Sequence, residues 1–238
     1  MIDVLDHLSI AGSAAAYETL LGRHAVNGRL QTGNVGLTFG AAGNGLSSMV
    51  FSTSDLDKTA RLLERRAVPS ERQRDRLILS REATHGVPIE LCERKERAQP
   101  SPLAGSDEAA AISALDHIVV RTPNPERAIA LYAGRLGLDL RLDRSNPAWG
   151  SRLLFFRCGD LVVEIAHDLR KGVSDGPDHL WGLSWRTPDI AMANARLKAA
   201  GIDVSEPRDG RRPGSQVFTV KNHTAGVPTL VIGGIGRW

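Results

Sequence analysis

Cysteine is almost missing from this chain: the 238 residues include two, Cys92 and Cys158, far apart and without CxxC spacing. A disulfide framework and a structural zinc site are thereby excluded as organising devices, and reduced thiols in a cytoplasmic setting are expected. Aromatic residues make up only 5% of the chain, and none interrupts its densest basic stretch, Arg61 to Arg76. That stretch carries six arginines but also Glu64, Glu71 and Asp75. It reads as a solvated helix face and its following loop, with no rings to stack on bases. Neither sign of charge dominates, since 30 basic residues face 27 acidic ones and the formal charge is +3; no nucleic-acid partner is implied. No apolar run reaches the ~20 residues of a membrane span, and Asp3 and Asp6 stand where a signal peptide would be basic and then apolar. Glycine-rich dinucleotide, P-loop and nucleophile-elbow motifs are lacking too, which disfavours nucleotide and serine-hydrolase chemistry.

What the chain does have is repetition, on an apolar content of 42% that is ample for ordinary cores. Leu5-Asp6-His7 recurs as Leu115-Asp116-His117, each opening an alternating apolar run of strand type. Tyr17-x-x-x-Leu21-Gly22 recurs as Tyr132-x-x-x-Leu136-Gly137, with glycine where a helix needs a left-handed residue to stop. Further on, Ala60-Arg61-Leu62 pairs with Ala195-Arg196-Leu197, and Thr84-x-Gly86-Val87-Pro88 with Thr224-x-Gly226-Val227-Pro228. The offsets grow steadily along the chain, from 110 to 115, 135 and 140 residues. Such ordered drift is the mark of a tandem duplication with insertions in the second copy. The segment between the copies contains Gln99-Pro100-Ser101-Pro102, Gly105-Ser106 and an alanine run, and reads as a linker. The expected organisation is a first domain over 1–95, a linker over 96–113 and a second domain over 114–238.

Each half holds a finer repeat. Arg-Thr-Pro closes two strands of the second half, after which Asn124 and Asp189 occupy helix N-cap positions. Apolar segments on either side of Cys158-Gly159-Asp160 then predict a hairpin. Strand, helix, then two or three strands is the recurring unit, used four times.

That unit resembles the βαβββ module of the vicinal oxygen chelate superfamily, the glyoxalase, bleomycin-resistance and extradiol-dioxygenase group. The resemblance implies an α+β fold in which four βαβββ units in tandem pair into two curved-sheet, glyoxalase-like domains. It also implies metal positions on the first and last strand of each unit, where imidazole and carboxylate hold a divalent ion and leave room for substrate oxygens. Carried over in the second half, the first position is His117 and the second Glu164. The third falls on Gly182 and the fourth on Leu230, neither of which binds metal. In the first half His7 takes the first position and Glu90 the last; Ser47 or Ser48 falls at the third, depending on register, and no carboxylate stands near Gly36 to Thr38 for the second.

The implied cofactor is a divalent ion (Fe, Mn, Ni or Zn). The implied activity is that of a lyase, isomerase or ring-cleaving dioxygenase on a small oxygenated metabolite in the C-terminal cleft, with His117 and Glu164 catalytic. The gaps at Gly182 and Leu230 fit an alternative, a metal-free protein that binds or sequesters a small molecule, as in the bleomycin-resistance branch. Glu164 stands among Leu161, Val162, Val163, Ile165 and Ala166, and a buried carboxylate is costly unless it meets a cation, a metal or a donor. An ion pair with Arg152 or Arg186 is its structural alternative to chemistry. For His117 the alternative is an imidazole bonded to a backbone carbonyl or to Asp116. Trp149, Arg152, Ser184, Arg186 and Arg212 are the expected substrate contacts, while Trp181 and Trp185 read as core or rim packing. His85, His167, His179 and His223 read as solvent-exposed, with His167 and His179 as reserve ligands. A monomer and a homodimer both fit such a chain.

Overall fold

The computed structural model describes residues 2–40, 43–105 and 107–234. Ser106 of the connecting segment and residues 235–238 of the second copy lie outside the described residues. The architecture is α+β, with two mixed sheets of seven and eight strands and a few short helices. In the first copy β1 (Ile2–Ala11) leads into α1 (Ala14–Leu21) and then β2 (Arg29–Gln31) and β3 (Gly36–Gly40). The next unit runs β4 (Gly45–Thr53), α2 (Leu56–Arg65), β5 (Ser70–Gln73), β6 (Arg76–Leu79) and β7 (Ile89–Glu93). The second copy opens with β8 (Ala114–Arg121) and α3 (Pro125–Ile129), which continues as a π turn over Ala130–Arg135. Strands β9 (Asp139–Asn146), β10 (Ser151–Cys158) and β11 (Leu161–Asp168) complete that unit. The fourth comprises β12 (His179–Arg186), α4 (Ile190–Ala199), β13 (Arg208–Asp209), β14 (Gln216–Val220) and β15 (Thr229–Gly233). Strand order is β2-β3-β1-β4-β7-β6-β5 in one sheet and β13-β14-β15-β12-β8-β11-β10-β9 in the other.

Local signals account for these boundaries. Gly22 ends α1 at φ 67°, where its N–H reaches the Glu18 carbonyl, and Gly137 stands at φ 77° after the π turn; a side chain at either φ would be strained. Asn124 and Asp189 cap α3 and α4, accepting from the backbone N–H of Arg127 and Met192. Cys158 pairs with Leu161 across a two-residue turn, so Gly159-Asp160 closes the predicted hairpin.

The chain packs into two compact units. One takes β1 up to His7 together with Ser47–Glu96 and Ile118–Trp181. Its core is built from strand faces such as Phe51, Leu91, Phe156, Val163 and Ile165, all fully buried, with the Tyr132 ring 5.6 Å from Phe156. The other takes Leu8–Leu46, Arg97–His117 and the chain from Gly182 on. Trp185, Tyr17 and Phe218 are its largest buried side chains. Within it, Arg196 of α4 donates to the Thr19 and Leu20 carbonyls at 2.6 and 2.7 Å, capping the C-terminal end of α1 with a cation. The segment read as a linker is no free tether: the buried Arg23 guanidinium donates to the Ser101 and Ile112 carbonyls and to Glu108.

Candidate functional site

In the first copy three side chains converge within one unit. His7 is 2% exposed, and its Nδ1 lies 2.6 Å from the Asp6 carboxylate. Its Nε2 faces Nη2 of Arg76 at 3.3 Å, while Nη1 of the same guanidinium donates to Glu90 Oε2 at 2.7 Å. A guanidinium has donors only. Nε2 therefore presents its lone pair to Arg76, and the ring proton sits on Nδ1 and donates to Asp6. The two residues expected to share a metal ion share Arg76 instead. The sequence pattern predicts a solvated stretch up to Arg76, and Arg76 departs from it: the residue stands on β6, half-buried, because its partners lie on β1 and β7.

In the second copy the His117 Nδ1 lies 2.9 Å from the Asp116 carboxylate, which is 1% exposed. Arg186 is buried, donates to the Leu115 carbonyl at 2.9 Å and lies 3.8 Å from Asp116. Ser184 is buried as well, and among the described residues its hydroxyl has no hydrogen-bond partner. Glu164 lies opposite Phe155 on β10, part-exposed, between the fully buried Val163 and Ile165. Arg152, one of the two arginines considered as a partner for Glu164, is bound to Asp143 and Glu126 at 2.6 Å each. The same guanidinium, through its hydrogen bonds, holds the Asp143 carboxyl below the usual carboxylate range.

Trp149 is open to solvent with Arg144 over its ring at 5.2 Å, and Trp181 with Arg121 at 4.0 Å; Trp185 is core. Arg212 is part-exposed in the loop after β13, its carbonyl accepting from Ser215. His179 and His223 are exposed, as expected. His167 is not: it is 4% exposed with Nδ1 at 3.1 Å from the Thr122 carbonyl, because strand alternation turns it to the Val163 and Ile165 face. His85 also departs from simple exposure. It takes a left-handed backbone, and burial first and Arg127 second hold its imidazole below the ordinary value.

Sequence reasoning missed one polar cluster altogether. Asp178, just before β12, is fully buried; Thr122 Oγ1 and Arg127 Nη2 donate to its Oδ1 at 2.7 and 2.8 Å. Its N–H reaches the His85 carbonyl at 2.8 Å. The Tyr132 hydroxyl, also buried, has no partner among the described residues. The signal that was available is the pairing of Arg127 with an acidic loop, Asp175 to Asp178.

The residues present do not fit a resident divalent ion. Among the described residues no three His, Cys, Asp or Glu side chains form a metal-holding group, whereas structural sites take four ligands and catalytic sites three. In the first copy a cation already stands between His7 and Glu90. In the second, a Cβ on Gly182 would come within 2.9 Å of the Pro228 carbonyl oxygen, so packing itself bars a ligand there. Strand register aligns Gly182 with Ser48, since Leu183 and Met49 each donate to the carbonyl of the proline that opens the next strand.

A tandem chain of four βαβββ units defines a class of fold, and known proteins share parts or all of it. Residues 116–219 match the family model of the Glyoxalase/Bleomycin resistance protein/Dioxygenase superfamily. An ethylmalonyl-CoA/methylmalonyl-CoA epimerase of Cereibacter sphaeroides is 28% identical over 112 residues, which cover 42% of this chain and 81% of that protein. Two solved structures share the fold along the whole chain. One, a halotolerant catechol dioxygenase, has a TM-score of 0.72 at 12% identity and is covered over 89% of its length. The other, 2,2',3-trihydroxybiphenyl 1,2-dioxygenase from Sphingomonas wittichii, has 0.71 at 17% identity and is covered over 92%. Over residues 116–219 the second copy is similar to this superfamily, and the chain as a whole shares the fold of the two dioxygenases.

Proposed function

We propose that this protein acts on a small oxygenated metabolite by moving a proton at the carbon beside a carbonyl, with Glu164 as the accepting base. The observation that carries this reading is the setting of Glu164, a part-exposed carboxylate between two fully buried aliphatic residues of β11. A part-exposed carboxylate flanked by aliphatic residues is a setting in which a proton-abstracting base can work. Likeness to an epimerase of 2-substituted acyl-CoA thioesters supports the same chemistry. His117, in the other compact unit, is proposed as a working group in its own right, with Asp116 fixing its tautomer as an orienting carboxylate does. Arg186 and Ser184, both buried, are proposed as positioning residues, and Trp149, Arg152 and Arg212 as outer contacts. A metal-dependent version needs ligand atoms that Gly182 and Leu230 do not carry.

The test is exchange of the proton beside the carbonyl with deuterated water, followed by mass for methylmalonyl-CoA and other 2-substituted acyl thioesters, with and without EDTA. Glu164→Gln is expected to slow exchange by about 10²–10⁴-fold, the range for loss of a general base. Exchange undiminished in the variant overturns the assignment; exchange abolished by EDTA in the wild type overturns its metal-free form. A second reading, a metal-free binding protein, is favoured by the exposed rings of Trp149 and Trp181, each with a guanidinium over it. Its sign is stabilisation against heat by a ligand that undergoes no exchange.

A further inference from the structure

We propose that Arg76 is the resident cation of the first copy, a guanidinium that fills the place between His7 and Glu90 and keeps that half free of metal. Three observations carry this, and none depends on the function proposed for Glu164. The first is geometric: Arg76 Nη2 lies 3.3 Å from His7 Nε2 and Nη1 lies 2.7 Å from Glu90 Oε2, so one planar cation meets both groups.

The second is chemical. With its Nδ1 proton given to Asp6, His7 offers the lone pair of Nε2 outward, the same state in which an imidazole ligates a metal with a carboxylate behind it. That lone pair is spent on a hydrogen bond from Arg76. A divalent ion at the same place would sit within a few ångströms of a fixed positive charge and would have to displace the guanidinium from a part-buried carboxylate, 21% exposed.

The third observation comes from the duplication. On β6 and β7 Arg76 pairs with Cys92 and Ile78 with Glu90; on β14 and β15 Val217 pairs with Ile232 and Thr219 with Leu230. With Glu90 aligned on Leu230, as the repeated Gly-Val-Pro places them, Arg76 falls on Val217. The guanidinium and the carboxylate are both present in one copy and both replaced by aliphatic residues in the other. Positions that change together in this way behave as two arms of an ion pair. A carboxylate kept as a metal ligand would have no need of the arginine.

The test is metal binding by the full chain, measured by equilibrium dialysis against Ni²⁺ and Zn²⁺, for the wild type, His7→Ala, Arg76→Met, and Arg76→Met combined with His7→Ala. Methionine keeps the length of the stem and removes the charge. Arg76→Met is expected to take up one additional equivalent of metal per chain, which the added His7→Ala removes; His7→Ala alone is expected to leave the wild-type stoichiometry unchanged. A folded Arg76→Met protein that gains no equivalent overturns the proposal, as does a wild-type protein that loses metal on His7→Ala. Should Arg76→Met fail to fold, the comparison of wild type with His7→Ala decides alone: equal stoichiometry supports the resident guanidinium, and reduced stoichiometry refutes it.

Discussion

Replacing Asp178 by asparagine removes one negative charge from a fully buried side chain and changes almost nothing in its volume. The carboxylate accepts from Thr122 at 2.7 Å and from Arg127 at 2.8 Å, and its own N–H ties it to the His85 carbonyl at 2.8 Å. Hydrogen bonds to charged groups contribute about 1.5–3 kcal/mol each. The Arg127 side chain retains 19% exposure and keeps its bonds to the Asp175 and Gly176 carbonyls, which places the loss toward the low end. Asp178→Asn is therefore expected to cost about 2 kcal/mol, and Asp178→Ala about 3–5 kcal/mol because it leaves a cation without its buried partner. In a chain of this size 2 kcal/mol corresponds to a fall in Tm of roughly 4–8 °C. Urea unfolding followed by tryptophan fluorescence measures the midpoint, with the slope as a check that the unfolded state is unchanged. Arg127→Met completes a double-mutant cycle, in which a coupling of at least ~1 kcal/mol is expected. If both Asp178 variants fall within ~0.5 kcal/mol of the wild type, the level of an ordinary surface change, the reasoning fails.

The duplicated tyrosines give an internal control. Tyr17 donates to the Thr224 carbonyl at 3.2 Å, so Tyr17→Phe is expected to cost about 1 kcal/mol, whereas Tyr132→Phe, which removes a buried hydroxyl without a partner, is expected to be neutral or slightly stabilising; thermal melts in the opposite order refute this. Burial pushes the Cys158 thiol up to about 12, and Cys92 is only part-buried. A thiol reagent at neutral pH is thus expected to modify one cysteine per chain in the native state and both after denaturation, and two fast thiols in the native protein would contradict it.

The repeats made most of the fold legible. Gly22, Gly137, Asn124, Asp189 and the Gly159 turn announce themselves because each answers a local backbone requirement that the residue type alone reveals. The polar sites were less readable, for a reason that differs from residue to residue. Arg76 sits at the end of an arginine-rich stretch whose density suggests solvent, and β6 is too short to display a period; its partners are 14 and 69 positions away. Asp178 lies in a loop of polar and glycine residues, where burial leaves no trace in the sequence. The place of His167 near a strand end suggests solvent, although the alternation of β11 sets it on the face of Ile165. Whether Ser47 or Ser48 aligns with Gly182 depended on register, which only paired strands can supply.

The duplication also separates what is inherited from what is private to one copy. Signals that shape the backbone recur in both halves because the unit cannot fold without them. A polar pair found in only one half answers a demand made only there: Arg76 with Glu90 has Val217 and Leu230 as its counterparts, and Arg127, which holds Asp178, has Gly12 at the offset that relates the two tyrosines. What both halves keep is an imidazole whose Nδ1 is tied to the carboxylate just before it, at 2.6 Å in His7 and 2.9 Å in His117. A histidine held in one tautomer twice over, while the groups around it are exchanged, is retained for the direction in which it presents its other nitrogen. In the first copy that nitrogen meets Arg76, so any chemistry it once served there is closed. The His117 side chain is 18% exposed against 2% for His7, so an agent that alkylates accessible imidazoles is expected to modify His117 while leaving His7 unmodified, which peptide mass mapping checks.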